Sequence, residues 1–133
     1  MLLGQDGKEQ GIFSIGNPLT LNVTFMAHKS DKFNIIPTAT LFRLDGILVS
    51  NHIGKSMLLE FKSEEKGKLQ LHLGNINLGN GNYVFSVALY NKLSYYENSQ
   101  VYDLIDRSYE FEVIGNDPFC GLFQHPGEWT FTK

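Results

Sequence analysis

Four tyrosines crowd one stretch of the chain: Tyr95, Tyr96, Tyr102 and Tyr109 all lie in LSYYENSQVYDLIDRSYEFEVIG, residues 93–115. A tyrosine joins a flat apolar ring to a hydroxyl, so it can fill a core, tie a structural corner or form a platform for a ligand. Asn98, Gln100 and Asp103 stand among them and add planar polar groups that bond hydroxyls.

Other residue sets with chemistry in them are set aside by spacing. Gly54-Lys55-Ser56 ends like a phosphate-cradling loop, but that loop needs a glycine five positions earlier, where Val49 stands, and no helical pattern follows. Gly79-Asn80-Gly81 opens like a dinucleotide fingerprint, yet Val84 occupies the third glycine position and a strand pattern follows, so it reads as a tight turn. His28, His52, His72 and His125 are scattered without close pairing, which argues for solvated or hydrogen-bonded side chains and no metal. Cys120 has no nucleophile elbow around it. Asp103 and Asp106 offer two carboxylates, but nothing near them marks either for acid–base work. The chain reads as a non-enzyme with no cofactor.

The elements that must position these residues are strands. In PLTLNVTFMAH, Leu19, Leu21, Val23, Phe25 and Ala27 face one way, and Thr20, Asn22, Thr24, Met26 and His28 the other. KLQLHL sets Leu69, Leu71 and Leu73 against Gln70 and His72. YVFSVALYN sets Tyr83, Phe85, Val87 and Leu89 against Val84, Ser86, Ala88 and Tyr90. RSYEFEVIG sets Tyr109, Phe111 and Val113 against Ser108, Glu110 and Glu112. Period-two alternation of this kind predicts half-buried strands, apolar side inward.

Asp45-Gly46 between PTATLFRL and ILVSNHI is a hairpin signal, and KSEEKGK at 62–68 reads as a solvated turn. No window carries a helical period. Together these features predict an all-β fold, an antiparallel β-sandwich of seven to nine strands with immunoglobulin-like or jelly-roll topology. Residues 1–11 read either as a frayed opening segment or as an edge strand.

With 133 residues the chain is long enough for one core without disulfides, and residues 1–133 are expected to form a single domain. A net charge of −3 leaves no basic stripe for phosphates and argues against a nucleic-acid partner. One cysteine fits a reducing compartment, and no apolar run is long enough to cross a bilayer as a helix. Asn22-Val23-Thr24 matches a glycosylation sequon, but it falls inside a strand pattern and reads as accidental.

The order of motifs resembles the C-terminal domain of the ATP-binding subunit of O-antigen polysaccharide ABC transporters. In that family a leucine–glycine–tyrosine turn opens a strand, matched here by Leu78, Gly81 and Tyr83 in NLGNGNYVFSVALYN. An aromatic, Asp-rich segment follows, matched by Tyr102, Asp103 and Asp106; then an F-x-V strand, matched by Phe111 and Val113. A glycine-led segment ending in tryptophan, GLFQHPGEWTF, closes the pattern from Gly121 to Trp129. The first half fits more loosely, through IFSIGNPLTLNVTFMA and the Asp-Gly hairpin of FRLDGILVSN. The similarity runs from about Phe13 to Phe131.

The resemblance implies a β-sandwich that binds the terminal, modified end of a lipid-linked O-polysaccharide, selecting the finished glycan for export. It implies a cytoplasmic location at the inner face of the bacterial inner membrane and a homodimer. Its partners are a nucleotide-binding domain normally fused N-terminally and the transporter's membrane subunit. No P-loop is present in this sequence, so the chain is expected to be an excised domain or a stand-alone relative.

A sugar-binding surface needs an apolar plane for a pyranose C–H face and planar polar groups for its hydroxyls. The residues expected to supply them are Tyr95, Tyr96, Asn98, Tyr102 and Asp103 in the tyrosine stretch, with Tyr90 and His72 from outward strand faces. Small Ser86 and Ala88 would leave room for a shallow groove. Tyr102 has a second reading as a corner tyrosine bonded to backbone. Tyr83 and Tyr109 follow the inward alternation and are expected in the core, with Trp129 packing on the core or across a dimer. The alternative is a structural sandwich that dimerises without binding sugar, with GEWTFTK as an edge or swapped strand.

Overall fold

The computed structural model describes residues 1–92, 100–115, 121–123 and 127–132, and for 100–107 the backbone path alone. Nine strands and no helix occur among them: β1 (Leu2–Leu3), β2 (Ile12–Ser14), β3 (Leu19–Met26), β4 (Asp31–Arg43), β5 (Leu48–Ile53), β6 (Met57–Phe61), β7 (Lys66–Leu73), β8 (Gly81–Lys92) and β9 (Gln100–Ile114). They form two sheets, one of order β1-β3-β7 and one of order β2-β9-β8-β4-β5, with β6 pairing the first half of β4. All pairings among these strands are antiparallel except that of β2 with β9.

The alternation read from the sequence sets the packing. Leu19, Leu21 and Val23 of β3 turn inward with half-buried Leu71 and Leu73 of β7, and meet Ala39, Leu41, Tyr83, Phe85, Val87, Phe111 and Val113 from the larger sheet. Phe111 is the hub: Phe13 meets it edge-on at 5.8 Å, and Tyr83 and Phe85 stack on it at 5.7 and 5.6 Å. Such pairs contribute beyond the area they bury. Tyr83 is core, and its hydroxyl donates to the buried Gly79 carbonyl at 2.7 Å. Tyr109 is half-buried against the same cluster.

Several expectations are corrected. The tight turn expected at Gly79-Asn80-Gly81 is instead the end of a crossover, because residues 74–80 carry the chain from β7 in one sheet to β8 in the other. There Leu78 bridges to Phe123 and Gly79 N donates to the Leu122 carbonyl. The outward row of β8 is not polar and solvated: Val84, Ser86 and Ala88 are buried like the inward row, since β8 lies between β4 and β9. The strand read in RSYEFEVIG begins earlier, at Gln100, and so takes in Tyr102 and Asp103 of the tyrosine stretch. Trp129 caps no core; it is 100% exposed, and Phe131 89%.

Other readings stand. Arg43 N bonds the Ile47 carbonyl across the Asp45-Gly46 turn, where Gly46 takes a φ of 96° that favours glycine. Residues 1–11 supply an edge strand, with Leu2 opposite Leu21. The segment 62–65 is exposed turn, and β7 begins at Lys66.

β4 explains how one long strand serves two neighbours. Asp31 to Ile35 pair with β6 and Thr38 to Phe42 with β5. Pro37, which has no N–H to donate, falls at the handover between those partners. Its carbonyl accepts from Gly54 N at 2.7 Å, in the link between β5 and β6.

Candidate functional site

The tyrosine stretch leaves β8 at Lys92 and re-enters β9 at Gln100, at the end of the sandwich where β3 finishes and β4 starts. The inner side of that end is a cleft of about 520 Å³ lined by Phe25, Met26, Phe33, Ile35, Phe61 and Leu89, with Thr24, His28 and Lys29 as its polar lining. Phe61 holds the aromatic wall together, edge-on to Phe25 at 5.4 Å and tilted against Phe33 at 6.3 Å. Glycine at 67 is required by this arrangement, because a Cβ there would run into the Phe25 ring that lies across β7.

The outer side of the same end carries Tyr90. It pairs with Ile36 on one edge and Val101 on the other, and Leu89, one residue earlier, faces the cleft instead. Tyr90 is half-buried, above the row of Ala88 and Ser86. The β9 backbone places Asp103 opposite Leu89, with Tyr102 at a register shift between the pairs formed by Leu89 and Tyr90. Thus Tyr90, Tyr102 and Asp103 occupy neighbouring strands at one end of the sheet.

His72 is not brought to them. It projects from the outer face of the three-stranded sheet, opposite Thr20, whose hydroxyl lies 3.0 Å from its Nδ1. Alternation assigns a side of a strand, and two strands of different sheets can both point outward on opposite faces of the molecule. Tyr95, Tyr96 and Asn98 lie outside the described residues, as do Cys120 and His125.

Sequence reasoning missed the Phe25–Phe33–Phe61 wall, whose members sit on three strands. The signal was present in Phe33 near the start of β4 and Phe61 at the end of β6, both beside charged residues, but neither strand segment was singled out. It also missed His52, which lines two clefts of about 440 and 590 Å³ along the open seam between β5 and β7. Burial pushes the His52 imidazole below its ordinary value, and Ser50 Oγ lies 3.0 Å from its Nε2. Among the described residues, no three His, Cys, Asp or Glu stand close enough to hold a metal ion. No helix among them is long and apolar enough to cross a membrane.

Two facing sheets with a Phe111-centred core and an aromatic cleft at one end define an all-β sandwich domain. The Wzt C-terminal domain family matches residues 1–125, and the chain belongs to that family. A solved structure described as the C-terminal domain of Wzt superposes with a TM-score of 0.81 at 12% identity, covering 98% of this chain and 80% of that one. At such identity the superposition speaks for the fold. No curated protein matches the chain in sequence. Membership of the family associates the chain with the O-antigen ABC transporter.

Proposed function

We propose that residues 1–133 form one domain that binds the terminal part of a lipid-linked O-antigen polysaccharide and so selects the finished glycan for export. The observation that carries this reading is the family match over residues 1–125, joined to the pairing that sets Tyr90 of β8 beside the start of β9 at the end where the tyrosine stretch meets the sheet. Tyr90, Tyr102 and Asp103, with Tyr95, Tyr96 and Asn98 of the connecting stretch, supply the contacts; His72 stands outside the site.

Such a surface suits a sugar. Aromatic rings cover the apolar C–H face, while amides and carboxylates bond the hydroxyls. Affinity is moderate, since the cost of desolvating hydroxyls offsets much of the favourable stacking and hydrogen bonding. The domain works on the cytoplasmic side of the inner membrane, beside the transporter's nucleotide-binding domain and membrane subunit. It requires no cofactor.

A second copy of the chain is the further partner, through the GEWTFTK tail. Trp129 and Phe131 support this, because a fully exposed tryptophan two residues from an exposed phenylalanine puts two large apolar side chains on the surface of the tail. The sugar reading is tested by Tyr90→Ala, Tyr96→Ala and Tyr102→Ala. Loss of glycan binding in at least one variant with an unchanged melting temperature is expected, and full binding by all three contradicts the site.

A further inference from the structure

We infer that Asn34 is the residue that positions Tyr90 at the proposed glycan surface, an assignment that rests on the glycan reading above. The backbone ladder between β4 and β8 ends at the pair Ile36–Tyr90. Beyond it β4 turns its pairing to β6, where Asn34 faces Leu58, yet β8 runs on to Lys92. A side chain bridges the gap: Asn34 Nδ2 donates to the Asn91 carbonyl at 2.8 Å, in a part-buried position. The same amide accepts through Oδ1 from Ser56 Oγ, in the link between β5 and β6.

The orientation of this amide is fixed by its partners. A backbone carbonyl only accepts, so the nitrogen must face Asn91, and the oxygen is left for the serine hydroxyl. A carboxamide donates from its nitrogen and accepts at its separate oxygen, so no apolar residue at 34 reproduces the bridge. Holding the Asn91 carbonyl holds the planar peptide that follows it and keeps Tyr90 and Lys92 extended on either side. On the far edge of β8, Tyr90 pairs with Val101 and Lys92 with Gln100, so the bond steadies the start of β9 as well. The consequence for binding is pre-organisation: a ring already in place costs less ordering when the sugar arrives. Asn34 touches no glycan itself; it acts through β8.

Two variants separate the parts of the bridge. Asn34→Leu removes both bonds at similar size, and Ser56→Ala removes the serine bond and leaves the donor to Asn91. The probe is the O-chain of the source organism's own lipopolysaccharide, released by mild acid and titrated calorimetrically, with amide hydrogen exchange followed in parallel. Asn34→Leu is expected to weaken binding about five-fold, and Ser56→Ala less than about two-fold, the range of one net hydrogen bond. Exchange should rise at residues 90–92 in Asn34→Leu and stay unchanged in the core strand β3. Wild-type exchange at 90–92 overturns the assignment, and so does a rise spread over the whole sandwich, which marks a general stability role. If the wild-type chain binds no O-chain while Asn34→Leu still loosens 90–92 alone, the glycan reading is overturned and the positioning of β8 by Asn34 is supported.

Discussion

Tyr83→Phe isolates one bond that holds the crossover between the sheets. The ring sits at 1% exposure, stacked on Phe111 at 5.7 Å, and phenylalanine fills the same space. What is lost is the hydroxyl that donates to the buried Gly79 carbonyl at 2.7 Å. Removing the donor from a buried acceptor costs about 1–2 kcal/mol, since the carbonyl keeps its desolvation penalty without that bond. An unfolding entropy of about 2.1 cal/mol/K per residue gives roughly 0.28 kcal/mol/K for a chain of this length. The melting temperature should therefore fall by about 4–7 °C in a calorimetric scan near neutral pH. A fall of less than about 1 °C would refute the reasoning, because it would mean that the crossover from β7 to β8 does not depend on this bond.

Burial depresses the His52 pKa below its ordinary 6.5, so the unfolded chain takes the proton first as pH falls. Its stabilising contribution is complete above about pH 6.5 and is lost as pH drops toward the lower folded value; melting temperature should fall more steeply from about pH 7 to 5 in wild type than in His52→Gln, and parallel curves would count against it. Gly67→Ala drives a methyl group into the Phe25 ring and should cost about 1–3 kcal/mol while shifting the aromatic proton resonances of Phe25 and Phe61; an unchanged melting temperature and spectrum would show the wall to be adjustable. Deleting residues 127–133 should reduce the light-scattering mass from dimer to monomer, and an unchanged mass would remove the tail from the interface.

The strands that face water on one side were legible in the sequence, because period two is visible when one face is polar. β3 and β7 follow it residue by residue, and their eight-pair register carries no shift. β8 departs from it: Ser86 and Ala88 are small enough to be overtopped between two neighbouring strands, so their polar or neutral type did not mean exposure. The first half of β4 was missed because Pro37 looks like a strand boundary, whereas its missing N–H falls where β4 changes partners. β6 is a short apolar run without alternation of charge, the pattern least separable from its surroundings. At the site, Tyr90 and the start of β9 were placed together by the sequence, and His72 was misjoined to them because the pairing order of strands cannot be read from alternation. The aromatic wall showed only as separate phenylalanines, since Phe25, Phe33 and Phe61 meet only after β3, β4 and β6 are assembled.

The most direct test of glycan recognition at this end of the sandwich is a titration of the purified domain, followed by chemical shifts, with the source organism's own O-polysaccharide and with an unrelated one. Saturable binding of the first alone, with shifts gathered on Tyr90, Lys92 and the start of β9, is the predicted result. A folded protein that binds neither glycan, or one whose shifts gather at His72 on the opposite face, would contradict it.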